Sequence, residues 1–102
     1  MDRPFVTAVP GATSANDMVG RLAISRSGRD AGSTYLVVGV EGPTVVFVAD
    51  GRTRSVARPK RKNVKHLEVG APVRHCVERI ASGQALTDEE IRAVIAAAAG
   101  SE

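Results

Sequence analysis

From Met18 onward the chain falls into short segments whose apolar residues recur at every second position. In the run from Val19 to Ser25, Leu22 and Ile24 share one face while Arg21, Ala23 and Ser25 share the other, the alternation of a half-buried strand. Two further runs, Thr34 to Val40 and Thr44 to Asp50, are rich in β-branched residues and bounded by turn formers. Glu41-Gly42-Pro43 between them is short enough for a hairpin. Asp50-Gly51 is a tight-turn signal that predicts a fourth strand over Arg52 to Val56. Val64 and Leu67, with His66 between them, add a short fifth. The third run is apolar on both faces, with Val45 and Phe47 on one and Val46 and Val48 on the other, so something outside the sheet must cover the second face. Successive short antiparallel strands within about fifty residues predict a small barrel that removes its own edges.

After Gly70 the period becomes helical. Pro72 suits a first helical position, Val73, Cys76, Val77 and Ile80 form an apolar stripe, and Gly83 is a fitting stop, which predicts a helix from about Pro72 to Ser82. Thr87 to Glu90 is a capping box, with Leu86 placed to staple onto Ile91 and with Asp88, Glu89 and Glu90 at the positive helix end. It opens a second helix over Asp88 to Ala99, whose inner stripe is Ile91, Val94, Ile95 and Ala98. Helices this short are not stable alone, so they are expected to pack on each other and on the outer face of the third strand. The resulting division is a flexible N-terminal arm over residues 1–16, a barrel over 17–69 and a two-helix segment over 70–102. The arm carries Pro4, Pro10 and Gly11 and lacks apolar periodicity.

Composition changes this picture little. Apolar residues at 43% and charged residues at 25% fit a folded domain, and 102 residues give one shallow core, too little for a deep enzyme cleft. No apolar run approaches the roughly 18 residues that cross a bilayer, and the N-terminus has no signal-peptide pattern, so a soluble cytoplasmic protein is expected. The single cysteine, Cys76, has no internal disulfide partner and fits the inner stripe of the first helix.

Charge matters through its placement. The net charge is only +3, yet Arg52, Arg54, Arg58, Lys60, Arg61, Lys62 and Lys65 put seven of the fourteen Lys and Arg residues between Gly51 and Leu67, with no carboxylate among them. Such a run is either a solvated face or a site for a polyanion whose phosphates give affinity that falls steeply with salt. A second basic element precedes it. Gly28 and Gly32 permit positive backbone dihedrals in the connection between the first two strands, where Arg26 and Arg29 set charge beside exposed amides. The spacing is not that of a P-loop, and no lysine stands where one would reach a nucleotide's phosphates.

The segment from Gly20 to Val40 resembles the KOW motif. With its continuation through Val48-Ala49-Asp50-Gly51-Arg52 and through Arg61 to Glu68, it is similar to the KOW-domain ribosomal proteins of the large subunit, the archaeal and eukaryotic type numbered fourteen-e and its small bacterial relatives. The resemblance covers roughly Met18 to Glu68. It implies an SH3-like barrel that binds RNA, with Arg26, Arg29 and Gly32 in the loop and Arg61, Lys62, Asn63 and Lys65 in the second basic element as contacts.

Only Phe5, Tyr35 and Phe47 are aromatic, too few for platforms that stack bases, so recognition of phosphates and helix shape is expected. His75 and Cys76 are adjacent and so diverge on a helix, and no zinc spacing exists. His66 either donates to phosphate or sits in solvent. The fold class expected is therefore mainly β with C-terminal helices, a small SH3-like barrel followed by a two-helix appendage. The function expected is binding of structured RNA, specifically ribosomal RNA of the large subunit or a translation-associated complex, by a monomer without catalysis, cofactor or metal and with ribosomal proteins as further partners. The candidate contacts are Arg26, Arg29, Gly32, Arg52, Arg54, Arg58, Lys60, Arg61, Lys62, Asn63, Lys65 and His66. A protein-interaction module linked to transcription elongation or another ribonucleoprotein is the alternative.

Overall fold

A computed structural model describes residues 18–99 of the chain; the expected N-terminal arm lies outside them. Five strands form one antiparallel sheet: β1 (Arg21–Ser25), β2 (Thr34–Val40), β3 (Val45–Ala49), β4 (Lys60–Asn63) and β5 (Leu67–Pro72), in the order β4-β3-β2-β1-β5. A single 3-10 turn, Val64–His66, joins β4 to β5, and two helices follow, α1 (Arg74–Ala81) and α2 (Asp88–Ala99). This is the small barrel with a two-helix appendage that the sequence predicts.

Alternation along the strands divides the apolar residues between two cores. Ala23, Tyr35, Val37, Val46, Val48 and Leu67 bury the concave side, closed by Met18. Leu36, Ala49, Cys76, Leu86 and Ile91 form a second core, under the helices, with Leu22 and Ile80 packed against it. The second face of the sheet is thus covered by the helices, chiefly over β2 and the end of β3. Leu36, Ile91 and Cys76 have no exposed surface, and each large apolar side chain so buried contributes about 2 kcal/mol. In β1 the inward residues are Ala23 and Ser25, whereas Leu22 turns toward the helices and Ile24 stays exposed.

Three elements differ from expectation, each because a side chain or backbone group takes the amides concerned. Arg52 to Val56 is an irregular turn and not a strand. The Asp50 carboxylate accepts from the amides of Arg52 and Arg54, both at 2.9 Å, and Asp88 accepts from Val56 N at 2.7 Å. Those amides are unavailable to a ladder, so the fourth strand begins only at Lys60. Val64 and His66 belong to the 3-10 turn, which Asn63 Oδ1 caps by accepting from Lys65 N at 3.0 Å. The fifth strand therefore starts at Leu67 and continues to Pro72, past the boundary expected at residue 69. Helix α1 starts two residues later than expected because Pro72 pairs with Arg21 and Val73 N donates to Gly20 O at 2.9 Å, which keeps the chain extended.

The start of α2 matches expectation in detail. Thr87 N donates to Glu90 Oε1 at 2.9 Å and Glu90 N to Thr87 Oγ1 at 3.1 Å, the reciprocal pair of a capping box. Arg79 Nη1 then reaches Glu90 Oε2 at 2.6 Å, joining α1 to α2.

Where β1 meets α1, the backbone of Gly20 has φ +86°, and a Cβ there would lie 2.9 Å from Val77 Cα. Neither the dihedral nor the space suits an L side chain. Gly20→Ala is therefore expected to lower the unfolding free energy by about 2 kcal/mol or more in urea, with an unchanged m-value. A stability equal to that of the unsubstituted protein would show that α1 does not press on β1 in this way.

Candidate nucleic-acid interface

Strand direction decides which connections share an end of the barrel. Because β1, β2 and β3 are successively antiparallel, the β1–β2 loop (residues 26–33) and the β3–β4 connection (50–59) emerge together, and β5 begins there because Leu67 pairs with Ser25. Arg26 N donates to His66 O at 2.8 Å, bringing the loop against the 3-10 turn. Asp50 and Arg54 both lie near enough to Tyr35 for their charges to act on its hydroxyl. The β1–β2 loop thus shares its end of the sheet with the 50–59 connection and touches the 3-10 turn at His66, while the start of that turn lies by the β2–β3 hairpin, where Val64 N donates to Thr44 O at 2.8 Å.

The candidate residues divide into two groups. Arg26, Arg29, Arg52, Arg54, Arg58, Lys65 and His66 are exposed. No side-chain hydrogen bond or ion pair joins them to another described residue. Lys60 and Lys62, in contrast, point inward from β4 to the carboxylate of Asp30. Lys62 Nζ lies 3.0 Å from Asp30 Oδ1, and Lys60 Nζ 3.2 Å from Oδ2. The Lys62 side chain keeps only 9% of its surface exposed. Arg61 projects from the outer side of β4 and pairs with Glu41, at the β2–β3 hairpin and so at the other end of β2. Asn63 is occupied as the cap of the 3-10 turn. Gly32, at φ +92°, donates its amide to Ser25 O at 2.8 Å and turns the loop back into β2.

The centre of this end is Asp30, whose acid role the sequence pattern did not single out. Beyond the two lysines it accepts from Tyr35 Oη at 2.7 Å and Ser25 Oγ at 3.0 Å. Lys62 Nζ also donates to Ser25 Oγ at 2.9 Å. Burial alone would raise the Asp30 pKa, but the hydrogen bonds, led by Tyr35 and Lys62, outweigh it and hold the carboxyl far below the usual carboxylate range. Burial, donation to Asp30 and the charges of Asp30 and Asp50 push the Tyr35 phenol well above its ordinary value, so it remains a donor at every physiological pH. Asp50 is likewise lowered: the amides of Arg54 and Arg52 and the Thr53 hydroxyl overcome its desolvation.

The turn that carries Arg52 and Arg54 is held from the helical side as well. Arg92 Nη1, on α2, donates to Gly51 O at 2.7 Å, beside the Asp88 contact to Val56. Among the described residues no group of three or more His, Cys, Asp or Glu side chains gathers as metal ligands would, and no helix is long and apolar enough to cross a membrane. Cys76 is fully buried and its thiol is pushed up, first by burial and then by Glu90.

The direction of the Asp30 shift gives a pH dependence. An aspartate in the unfolded chain titrates near ~3.9, so below about pH 5 the unfolded state takes up a proton that the native carboxylate refuses. The stabilisation is complete above the unfolded pKa and drains away as pH falls toward the native one. The urea midpoint is expected to drop steadily from about pH 5 to about pH 2, with Asp50 adding to the same slope. Asp30→Asn is expected to flatten that slope while costing about 3 kcal/mol at neutral pH, because Lys62 loses its counter-charge in a nearly closed site. A midpoint in the unsubstituted protein that does not move over this range would contradict the assignment.

No family model matches the chain. Large ribosomal subunit protein eL14 of Metallosphaera sedula is 33% identical to it over 75 residues, which cover 74% of this chain and 72% of that relative. On that likeness, the chain belongs to the family of large ribosomal subunit protein eL14.

Proposed function

We propose that this protein is a non-catalytic RNA-binding protein of the KOW type, which grips the phosphate backbone of structured RNA, namely ribosomal RNA of the large subunit or of a translation-associated complex. The observation that carries the reading is the set of exposed cations without acidic partners: Arg26 and Arg29 on the loop and Arg52, Arg54 and Arg58 on the next connection, at one end of the sheet, with Lys65 and His66 on the 3-10 turn that the loop touches. Exposed and unpaired, these groups give up little to meet a phosphate, whereas a cation already bonded to a carboxylate must first lose that bond. Kinship with a large-subunit protein supports the choice of RNA among polyanions.

Among the described aromatics Tyr35 is buried and Phe47 half-buried, which favours contact with backbone and helix shape over stacking on unpaired bases. In this reading Lys60 and Lys62 serve the loop from inside the barrel, and Arg61 stands apart with Glu41.

Replacing Arg26, Arg29 and Lys65 together by Ala is expected to weaken binding to structured RNAs of unrelated sequence alike. It should also lower the slope of log K against log salt by up to about three. An unchanged slope would overturn the reading. The rival, a protein-docking module, draws on an apolar groove of about 530 Å³ between the sheet and the α1–α2 turn, walled by Val38, Phe47, Ile80 and Leu86. Sedimentation of cell extract through sucrose separates the two: comigration with ribosomal particles that is lost on RNase treatment favours RNA, and comigration with polymerase that survives it favours the rival.

A further inference from the structure

Resting on the RNA-binding reading, we propose that Asp30 is the positioning residue of that site. Its carboxylate, gripped by Lys60, Lys62, Tyr35 and Ser25, fixes the 26–33 loop so that Arg26 and Arg29 are held ready for phosphate. The loop's other bonds are mostly local. Ala31 N donates to Gly28 O, Gly32 N to Ser25 O and Ser33 N to Asp30 O, all within the loop and its flanking strand ends. Arg26 N reaches His66 O at the loop's first residue. From Ser27 to Ser33, the tie to β4 runs through the Asp30 carboxylate, supplemented by a 3.4 Å contact from Lys62 Nζ to Ser27 O. One acid thus spans from the loop to a strand some thirty residues away. Without it, a glycine-bearing loop would order its two arginines only on meeting RNA, and that ordering would be subtracted from affinity.

A negative charge at a phosphate-binding surface has an obvious opposite interpretation, as a brake that merely cancels two lysines. The two roles predict opposite signs. Asp30→Asn raises the local charge by one, so a brake removed should tighten binding to every polyanion and steepen its salt dependence. A positioning residue removed should weaken binding to structured RNA in spite of the added charge. Tyr35→Phe separates the roles without altering charge: it deletes one buried donor to Asp30 and leaves every exposed cation in place.

The test compares the full-length protein with both variants, using anisotropy of a fluorescein-labelled RNA hairpin, competition by heparin as an unstructured polyanion, and amide hydrogen exchange of the RNA-free protein. Positioning predicts that each variant loses about fivefold or more in hairpin affinity, keeps or gains heparin affinity, and exchanges the Gly32 and Ser33 amides at least about tenfold faster. Tighter hairpin binding by Asp30→Asn would overturn the proposal. So would a Tyr35→Phe protein identical to the original in hairpin affinity, or unchanged exchange at Gly32 and Ser33 in the variants. Should Asp30→Asn not fold, Tyr35→Phe decides alone. If the unsubstituted protein ignores the hairpin, the RNA reading fails, and the exchange data still report whether Asp30 holds the loop.

Discussion

A carboxylate with four side-chain donors, two of them lysine ammonium groups, is the constraint on which the basic end of this barrel depends. Sealing Lys62 into a site where it keeps 9% of its surface would be costly for an isolated charge. Asp30 offsets that cost, and Tyr35 and Ser25 complete the acceptor geometry, so the cluster is both charged and satisfied. Its consequence is mechanical. The loop after β1, the inner side of β2 and the inner side of β4 are joined at one atom group, and the curved sheet is closed at the end where the loops emerge.

That closure sorts the cations of a uniformly basic stretch by strand period. On β4 the residues Lys60 and Lys62 point inward and Arg61 outward, since neighbours on a strand face opposite sides. The inward pair is consumed by Asp30 and the outward one by Glu41. Cations in the connections, where no such alternation applies, remain in solvent. Of a run of seven basic residues, then, three act on the protein itself and the other four, with Arg26 and Arg29, are the ones free to act on something else.

This division marks the limit of what the sequence could disclose. The barrel, the hairpin at Glu41 to Pro43, the capped second helix and the burial of Cys76 were all legible, because each rests on local periodicity or on turn and cap chemistry within a few residues. The misplaced fourth strand had a local cause that was readable in hindsight: Asp50 can hold amides two and four residues on, and that signal competes with β propensity over Arg52 to Val56. The contribution of Asp88 to the same turn was not readable, since it arrives from thirty-two residues away. Asp30 escaped notice for the same reason. Its partners Lys60 and Lys62 are distant in the chain, and the absence of acids between Gly51 and Leu67 made the basic run look unopposed.

The helical appendage also gains a role from these contacts that its own pattern does not convey. Arg92 bonds to Gly51 O and Asp88 to Val56 N, both from the first half of α2, so the connection bearing Arg52 and Arg54 is anchored by the helix while Asp50 shapes it from within. Asp30 holds the neighbouring loop from the opposite, concave side of the sheet. Two half-buried acids, Asp88 on α2 and Asp30 in the β1–β2 loop, therefore set the two arms of the basic end independently: loosening α2 should disturb Arg52 and Arg54 and spare Arg26 and Arg29, because the bonds of the Asp30 cluster run to β1, β2 and β4. A surface assembled in this way has rigid flanks set by separate supports, which suits a ligand such as folded RNA, whose phosphates are themselves fixed in space.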